Sequence, residues 1–146
     1  MKKLIIYFSI ILLIFGCSHN SQISYDDFTK LEEAIIKEYY KADIKGAIEK
    51  LHELIKLYKT GKESNIIHVK WDMALALSKA RLADIYKSSG SLILHELYLN
   101  EAVNHYNISV QKDPYIKAED KYKITKEELM EMIQKLDNKN KPNWKK

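Results

Sequence analysis

Apolar residues recur at steps of three and four along most of this chain, and that period admits little besides helices. The clearest run is Ile44, Ala47, Ile48, Leu51, Leu54, Ile55 and Tyr58, one stripe down a 3.6-residue helix. No segment alternates with period two over a useful length. Four glycines and two prolines also leave too little turn chemistry for an all-β fold. The expectation is an all-α fold of about five helices.

The first helix should start at Ser24, with Asp27 in a capping-box relation and Ile23 and Phe28 placed as a hydrophobic staple. Its stripe is Phe28, Leu31, Ile35 and Tyr39. Asp43 caps the second helix, and Thr60 to Ser64 should break it. The third runs from about Asn65 to Ser88, with Gly90 where a left-handed cap belongs. Apolar residues nearly encircle its middle (Ile67, Trp71, Ala74, Leu75, Leu77, Leu82, Ile85 and Tyr86), which predicts the central, most buried helix. The fourth spans about Leu92 to Lys112 and stops at Asp113-Pro114, where the proline ring forbids continuation. Thr125 and Glu128 form another capping box for the fifth, striped by Leu129, Met132, Ile133 and Leu136. Residues 138–146 are Asn, Lys and Pro with one Trp, and read as an unfolded tail.

The first residues follow a different logic. Lys2 and Lys3 precede an apolar run from Leu4 to Phe15 that only Tyr7 and Ser9 interrupt. A run of about a dozen is short of the ~20 residues that span a bilayer, and fits the apolar core of an export signal. Ile14-Phe15-Gly16-Cys17 then resembles a bacterial lipobox, with an aliphatic residue at −3, small Gly16 at −1, and Cys17. A small residue admits the signal peptidase, and only the thiol can take a thioether-linked diacylglycerol. Cys17 is the sole cysteine, and lipidation also removes a free thiol that an oxidising compartment would attack. The resulting organisation is a signal peptide over 1–16, a lipidated, palmitate-bearing tether over 17–23, a helical domain over 24–137 and the tail over 138–146. Without Lys2 and Lys3 the formal charge falls from +4 to +2. The 23 lysines to one arginine then read as AT-rich coding, and no basic stripe of nucleic-acid-binding density occurs.

Two stretches resemble the tetratricopeptide repeat. Ala42-Asp43-Ile44-Lys45-Gly46-Ala47-Ile48, followed by Leu51 and Leu54, is similar to its turn and second helix. Leu82-Ala83 through Tyr86 to Gly90 is similar to its first helix, and Ala102, Tyr106, Ser109 and Asp113-Pro114 to its second. The span from Gly90 to Ala102 is longer than that pattern allows, and Glu38 stands where its tyrosine belongs. Together with the lipobox, Ala47-Ile48, Leu51, Leu54-Ile55, Tyr58, Ala80, Leu82-Ala83 and Tyr86 resemble the BamD/ComL type of outer-membrane lipoprotein, an accessory subunit of the β-barrel assembly machinery. That family has proline where Lys59 stands here, and is longer. The resemblance implies a periplasmic scaffold on the outer membrane, docked on the barrel-forming subunit.

Catalytic and metal motifs are missing from the reading. His52-Glu53 and His95-Glu96 begin like a zinc-protease helix, but Lys56 and Leu99 stand where the second histidine belongs. The expectation is solvated helix-face histidines, no metal, no cofactor and no enzyme. Of ten tyrosines, Tyr39, Tyr58, Tyr86 and Tyr106 keep core spacing. Tyr40, Tyr98, Tyr115 and Tyr122 fall off the stripes, and Tyr40, Lys41 and Tyr98 are the candidate partner-facing residues. The functional expectation is therefore a lipid-anchored envelope scaffold, held to the membrane through Cys17 and binding another envelope protein. The alternative is a surface-exposed adhesin that binds a host macromolecule. The short tether favours the periplasmic face.

Overall fold

Three of the helix starts are fixed by side-chain caps. Ser24 Oγ accepts the Asp27 N–H at 3.1 Å and donates to the Asp27 carboxylate at 2.7 Å. Asp43 Oδ1 accepts the Gly46 N–H at 2.8 Å. Thr125 and Glu128 exchange both bonds of a capping box, at 2.8 and 3.2 Å. Each such cap satisfies a backbone donor that the first turn leaves open, and contributes about 1 kcal/mol. The computed structural model describes residues 24–64 and 70–145. These form α1 (Tyr25–Lys41), α2 (Ile44–Glu63), α3 (Trp71–Ser88), α4 (Leu92–Lys112) and α5 (Lys126–Asn140). Short 3₁₀ turns follow at Ala118–Asp120 and Asn143–Lys145. The described residues contain no strand, and none of their helices is long and apolar enough to cross a membrane. The all-α expectation with five helices holds for them. The export signal, Gly16, Cys17 and the staple residue Ile23 lie outside them.

The chain turns back between α1 and α2 over Ala42-Asp43, and between α3 and α4 over Ser89–Ser91. There Gly90 takes φ +78° so that the Ser91 N–H can reach the Tyr86 carbonyl at 2.9 Å. α1 packs on α2, α2 on α3, and α3 on both α4 and α5, so α3 is the central helix, as its apolar circumference predicted. One apolar cluster joins the first three helices through Phe28, Tyr39, Leu51, Tyr58 and Leu82. A second joins α3, α4 and α5 through Ala80, Ala83, Ala102, Leu129 and Ile133. The three alanines are fully buried and let α3 and α4 approach closely.

Several sequence expectations give way to tertiary packing. The break expected over Thr60 to Ser64 comes only at the end of that span, because α2 continues to Glu63 and ends at Ser64. Gly61 serves a close approach instead, since a Cβ on it would run into the Trp71 ring. Described α3 begins only at Trp71, with Lys70 outside the helix, and residues 65–69 lie outside the description. Leu31, Ile44 and Leu136 leave the core at 47%, 44% and 37% exposure, and Met130 is buried in α5 while Met132 is only partly so. α1 is an edge helix, so only a narrow line of Phe28, Ile35 and Tyr39 finds cover. His95 is buried rather than solvated, its Nδ1 2.9 Å from the Ala83 carbonyl across the α3–α4 contact.

The tail expected over 138–146 is ordered where described. α5 runs on to Asn140, Lys141 ends it at φ 41°, and Pro142 is fully buried. Trp144 packs against the first cluster. Lys145 meets the carboxylates of Asp84 at 2.7 Å and Asp137 at 3.8 Å. The acceptors that hold this segment lie on α1, α3 and α5, so its own composition could not reveal them.

Candidate functional site

α1 and α3 both pack on α2, and between them lies a cleft of about 360 Å³. α2 supplies its floor through Leu51 and Leu54, and Ile36, Ala74 and Leu77 give apolar walls. The polar groups are Glu32, Tyr39, Tyr40, Tyr58, Ser78 and Arg81, with Lys70 at the far end, where its ammonium meets Asp113 at 2.6 Å. Helical spacing delivers them: Glu32, Ile36 and Tyr39 share one face of α1, and Ala74, Leu77, Ser78 and Arg81 one face of α3.

Each ionisable group in the cleft is held by a partner. The Tyr58 hydroxyl donates to Glu32 at 2.7 Å. Burial first, then that carboxylate, pushes the phenol well above its usual range. Tyr39 is raised for the same leading reason, with the Asp137 charge adding to it, so both hydroxyls stay protonated at neutral pH. Arg81, the chain's one arginine, donates from Nε to Asp137 at 2.9 Å. Its guanidinium carbon lies 5.9 Å from the centre of the Tyr39 ring. Asp137 is fully buried and also accepts from Tyr39 at 3.3 Å. The Tyr39 oxygen in turn accepts the Trp144 indole N–H at 3.1 Å. This is an apolar trough with fixed donors and one arginine along its edge, a setting suited to holding a chain segment.

A second polar chain crosses the α3–α4 contact. Lys62 donates to Asp72 at 2.9 Å, and His105 Nδ1 lies 3.1 Å from the same carboxylate oxygen. His105 Nε2 lies 3.2 Å from Lys79 Nζ, which donates to Glu101 at 2.7 Å. An ammonium has no lone pair, so Nε2 must be the bare acceptor and Nδ1 must carry the proton. Burial first, with Lys79 assisting against the Asp72 bond, lowers the imidazole pKa. For Asp72, burial opposes ionisation, but the Lys62 and His105 bonds outweigh it and its carboxyl titrates below the usual range. An Asp–His pair of this kind can prime a hydroxyl or thiol, yet here the second nitrogen meets an ammonium. Among the described residues no three His, Cys, Asp or Glu gather to hold a metal ion.

The candidate partner-facing residues separate. Tyr40 lines the cleft, and its oxygen accepts from Asn140 at 3.4 Å. Lys41 is exposed at the same end, where its carbonyl accepts from Asn143 at 2.9 Å. Tyr98 lies apart: it stacks on Tyr86 at 5.5 Å and packs against both apolar clusters. The sequence assigns Tyr39 and Tyr58 to packing alone, leaves Glu32 on a solvated helix face and gives no role to Arg81. The one available signal was a lone arginine among so many lysines, since a planar guanidinium is the cation best suited to a buried pair. No protein-family model, curated protein or solved structure matches this chain.

Proposed function

We propose that this chain is exported, acylated at Cys17, and serves as a membrane-tethered binding scaffold for another protein of the bacterial envelope. The observation that carries the binding role is the α1–α3 cleft, whose walls are apolar and whose ionisable groups are already paired. Groups locked in pairs support recognition better than catalysis, because none is poised to exchange a proton with a substrate. Export and lipidation are supported by Lys2 and Lys3, the apolar run, and Gly16 before the single Cys17. Two short-linked hairpins, α1–α2 and α3–α4, with α5 against the second, support a tetratricopeptide-like arrangement. On that reading the outer membrane, at its periplasmic face, is the site of action. The barrel-assembly subunit is the partner to look for first.

The test has two arms. Cys17→Ser should leave an unprocessed precursor that takes up no labelled palmitate, and normal labelling and maturation would overturn the lipid anchor. The lipidated protein, purified from detergent-solubilised membranes, should bring an envelope protein with it. Leu77→Lys, which puts a charge on the cleft wall at a partly exposed position, should lose that protein. Undiminished recovery with Leu77→Lys would remove the cleft from the reading.

A further inference from the structure

The last turns of α1 and α5 meet the C-terminal half of α3, and residues 142–145 lie across the junction. Asn143 Nδ2 donates to the Lys41 carbonyl at 2.9 Å, a group left open by the end of α1. The Trp144 indole donates to the Tyr39 hydroxyl at 3.1 Å while its ring packs on the first apolar cluster. Lys145 Nζ lies 2.7 Å from Asp84, 3.8 Å from Asp137 and 4.9 Å from the centre of the Trp144 ring. The receiving surface thus carries two carboxylates against one guanidinium, and takes first an aromatic N–H and then a cation.

This segment is a body distinct from α5. Lys141 separates the two in the left-handed region, at φ 41°, where an L side chain is disfavoured. Openings flank the segment. On one side is the cleft, which shares Tyr39 and Arg81 with this junction. On the other is a recess of about 420 Å³, walled by Asp84, Ser88 and Gln134 together with Trp144 and Lys145. The four residues therefore stand between two openings.

We propose that the surface running from the cleft to this recess is a recognition site for a short peptide presenting tryptophan followed by a basic residue, and that residues 142–145, the last three of them in a 3₁₀ turn, occupy it in cis. The occupant seen in the structure is the template for the partner: an envelope protein segment of the same aromatic-then-cation chemistry. The cis segment competes at an effective concentration on the order of millimolar, so only a tight or multivalent partner displaces it. It thereby sets a threshold for binding. The proposal rests on the scaffold reading and adds both the partner's chemistry and its regulation.

The probe is a synthetic peptide, Lys-Pro-Asn-Trp-Lys, matching residues 141–145. It is titrated into the full chain and into a chain ending at Asn140, with amide chemical shifts as readout. The shortened chain should bind it saturably, with shifts at Tyr39, Arg81 and Asp84, and the full chain at least about tenfold more weakly. Peptides with alanine for tryptophan, or glutamate for the last lysine, should not bind. Equal affinity for both chains overturns the proposal, as does no binding to a shortened chain that keeps its helical circular dichroism. Should that chain not fold, full-length Trp144→Ala takes its place. It should bind the peptide at least about tenfold more tightly than the parent does, and failure to do so overturns the proposal equally. A partner captured from membranes despite a silent peptide would sink this inference and leave the scaffold reading standing. Peptide binding without any captured partner would do the reverse.

Discussion

Replacing Arg81 with methionine isolates an ion pair with a fully buried carboxylate. Asp137 has no exposed surface, and Arg81 is its nearest cation at 2.9 Å. Removing one partner of a buried pair costs about 3–5 kcal/mol, because the remaining charge stays desolvated. Lys145 still faces the carboxylate at 3.8 Å with its side chain 23% exposed, which places the expected loss at the lower end, about 3 kcal/mol. For a domain near this size that lowers Tm by roughly 10 °C. Methionine keeps most of the aliphatic stem volume, so lost packing is a minor part. In an Asp137→Asn background no carboxylate is left to orphan, and Arg81→Met should then cost only about 1 kcal/mol. Urea denaturation of the four proteins, followed by circular dichroism, gives a coupling energy near 2 kcal/mol on this reasoning. Additive single effects, or an Arg81→Met protein within about 1 kcal/mol of the parent, would refute it.

Gly61→Ala should reverse the usual sign of such a change. Alanine favours a helix interior by about 0.5–1 kcal/mol, but the new Cβ meets the Trp71 ring, and overpacking costs about 1–3 kcal/mol. Net destabilisation in urea melts is expected, and in a Trp71→Leu background the same change should stabilise. A stabilised Gly61→Ala single variant would contradict the close approach. His105 supplies the pH dependence. Its folded pKa lies below the unfolded value of about 6.5, so the folded state binds fewer protons. Its contribution is therefore complete above that pH and fades as pH falls through the folded pKa. Protonation would aim a second N–H at Lys79, with Lys62 nearby on α2 and only Asp72 and Glu101 to offset it. The stability lead of the parent over His105→Gln should shrink between about pH 7 and pH 5, and a constant lead would show that the imidazole does not titrate in this window.

Local signals were legible and distant ones were not. Ser24, Asp43, Thr125, Gly90 and Pro114 act within a few residues of themselves, so the sequence placed the helix ends they govern. The alanines were legible too, because helical period aligns them into a contact face. Leu31, Ile44 and Leu136 kept the same period and still lie exposed, because period names a face but not its cover. Gly61 carried the opposite meaning from its local one, since its reason is a ring on the next helix. The candidate site was legible only at its edge. Tyr40 and Lys41 stand at one end of the cleft, whereas Arg81 and Asp137 meet across 56 positions and Tyr39 and Trp144 across 105.

One local rule is broken at that junction. A carboxylate in the last turn of a helix faces the negative end of its dipole, where a cation would be favoured by about 0.3–1 kcal/mol. Asp137 occupies that turn of α5, fully buried, next to a left-handed Lys141. An isolated α5 would do better with lysine there. The acid is tolerable only because Arg81 arrives from α3 and Lys145 folds back from beyond the helix. Departures from local preference concentrate where a chain is shaped for something other than its own stability. Asp137 is also the residue that ties α5 to the wall of the cleft through Arg81 and Tyr39. Exchanging it for a neutral side chain would leave the Arg81 guanidinium, whose side chain is only 17% exposed, without its carboxylate, so the cost should be comparable to that of losing Arg81 and should be felt as well in whatever the junction holds.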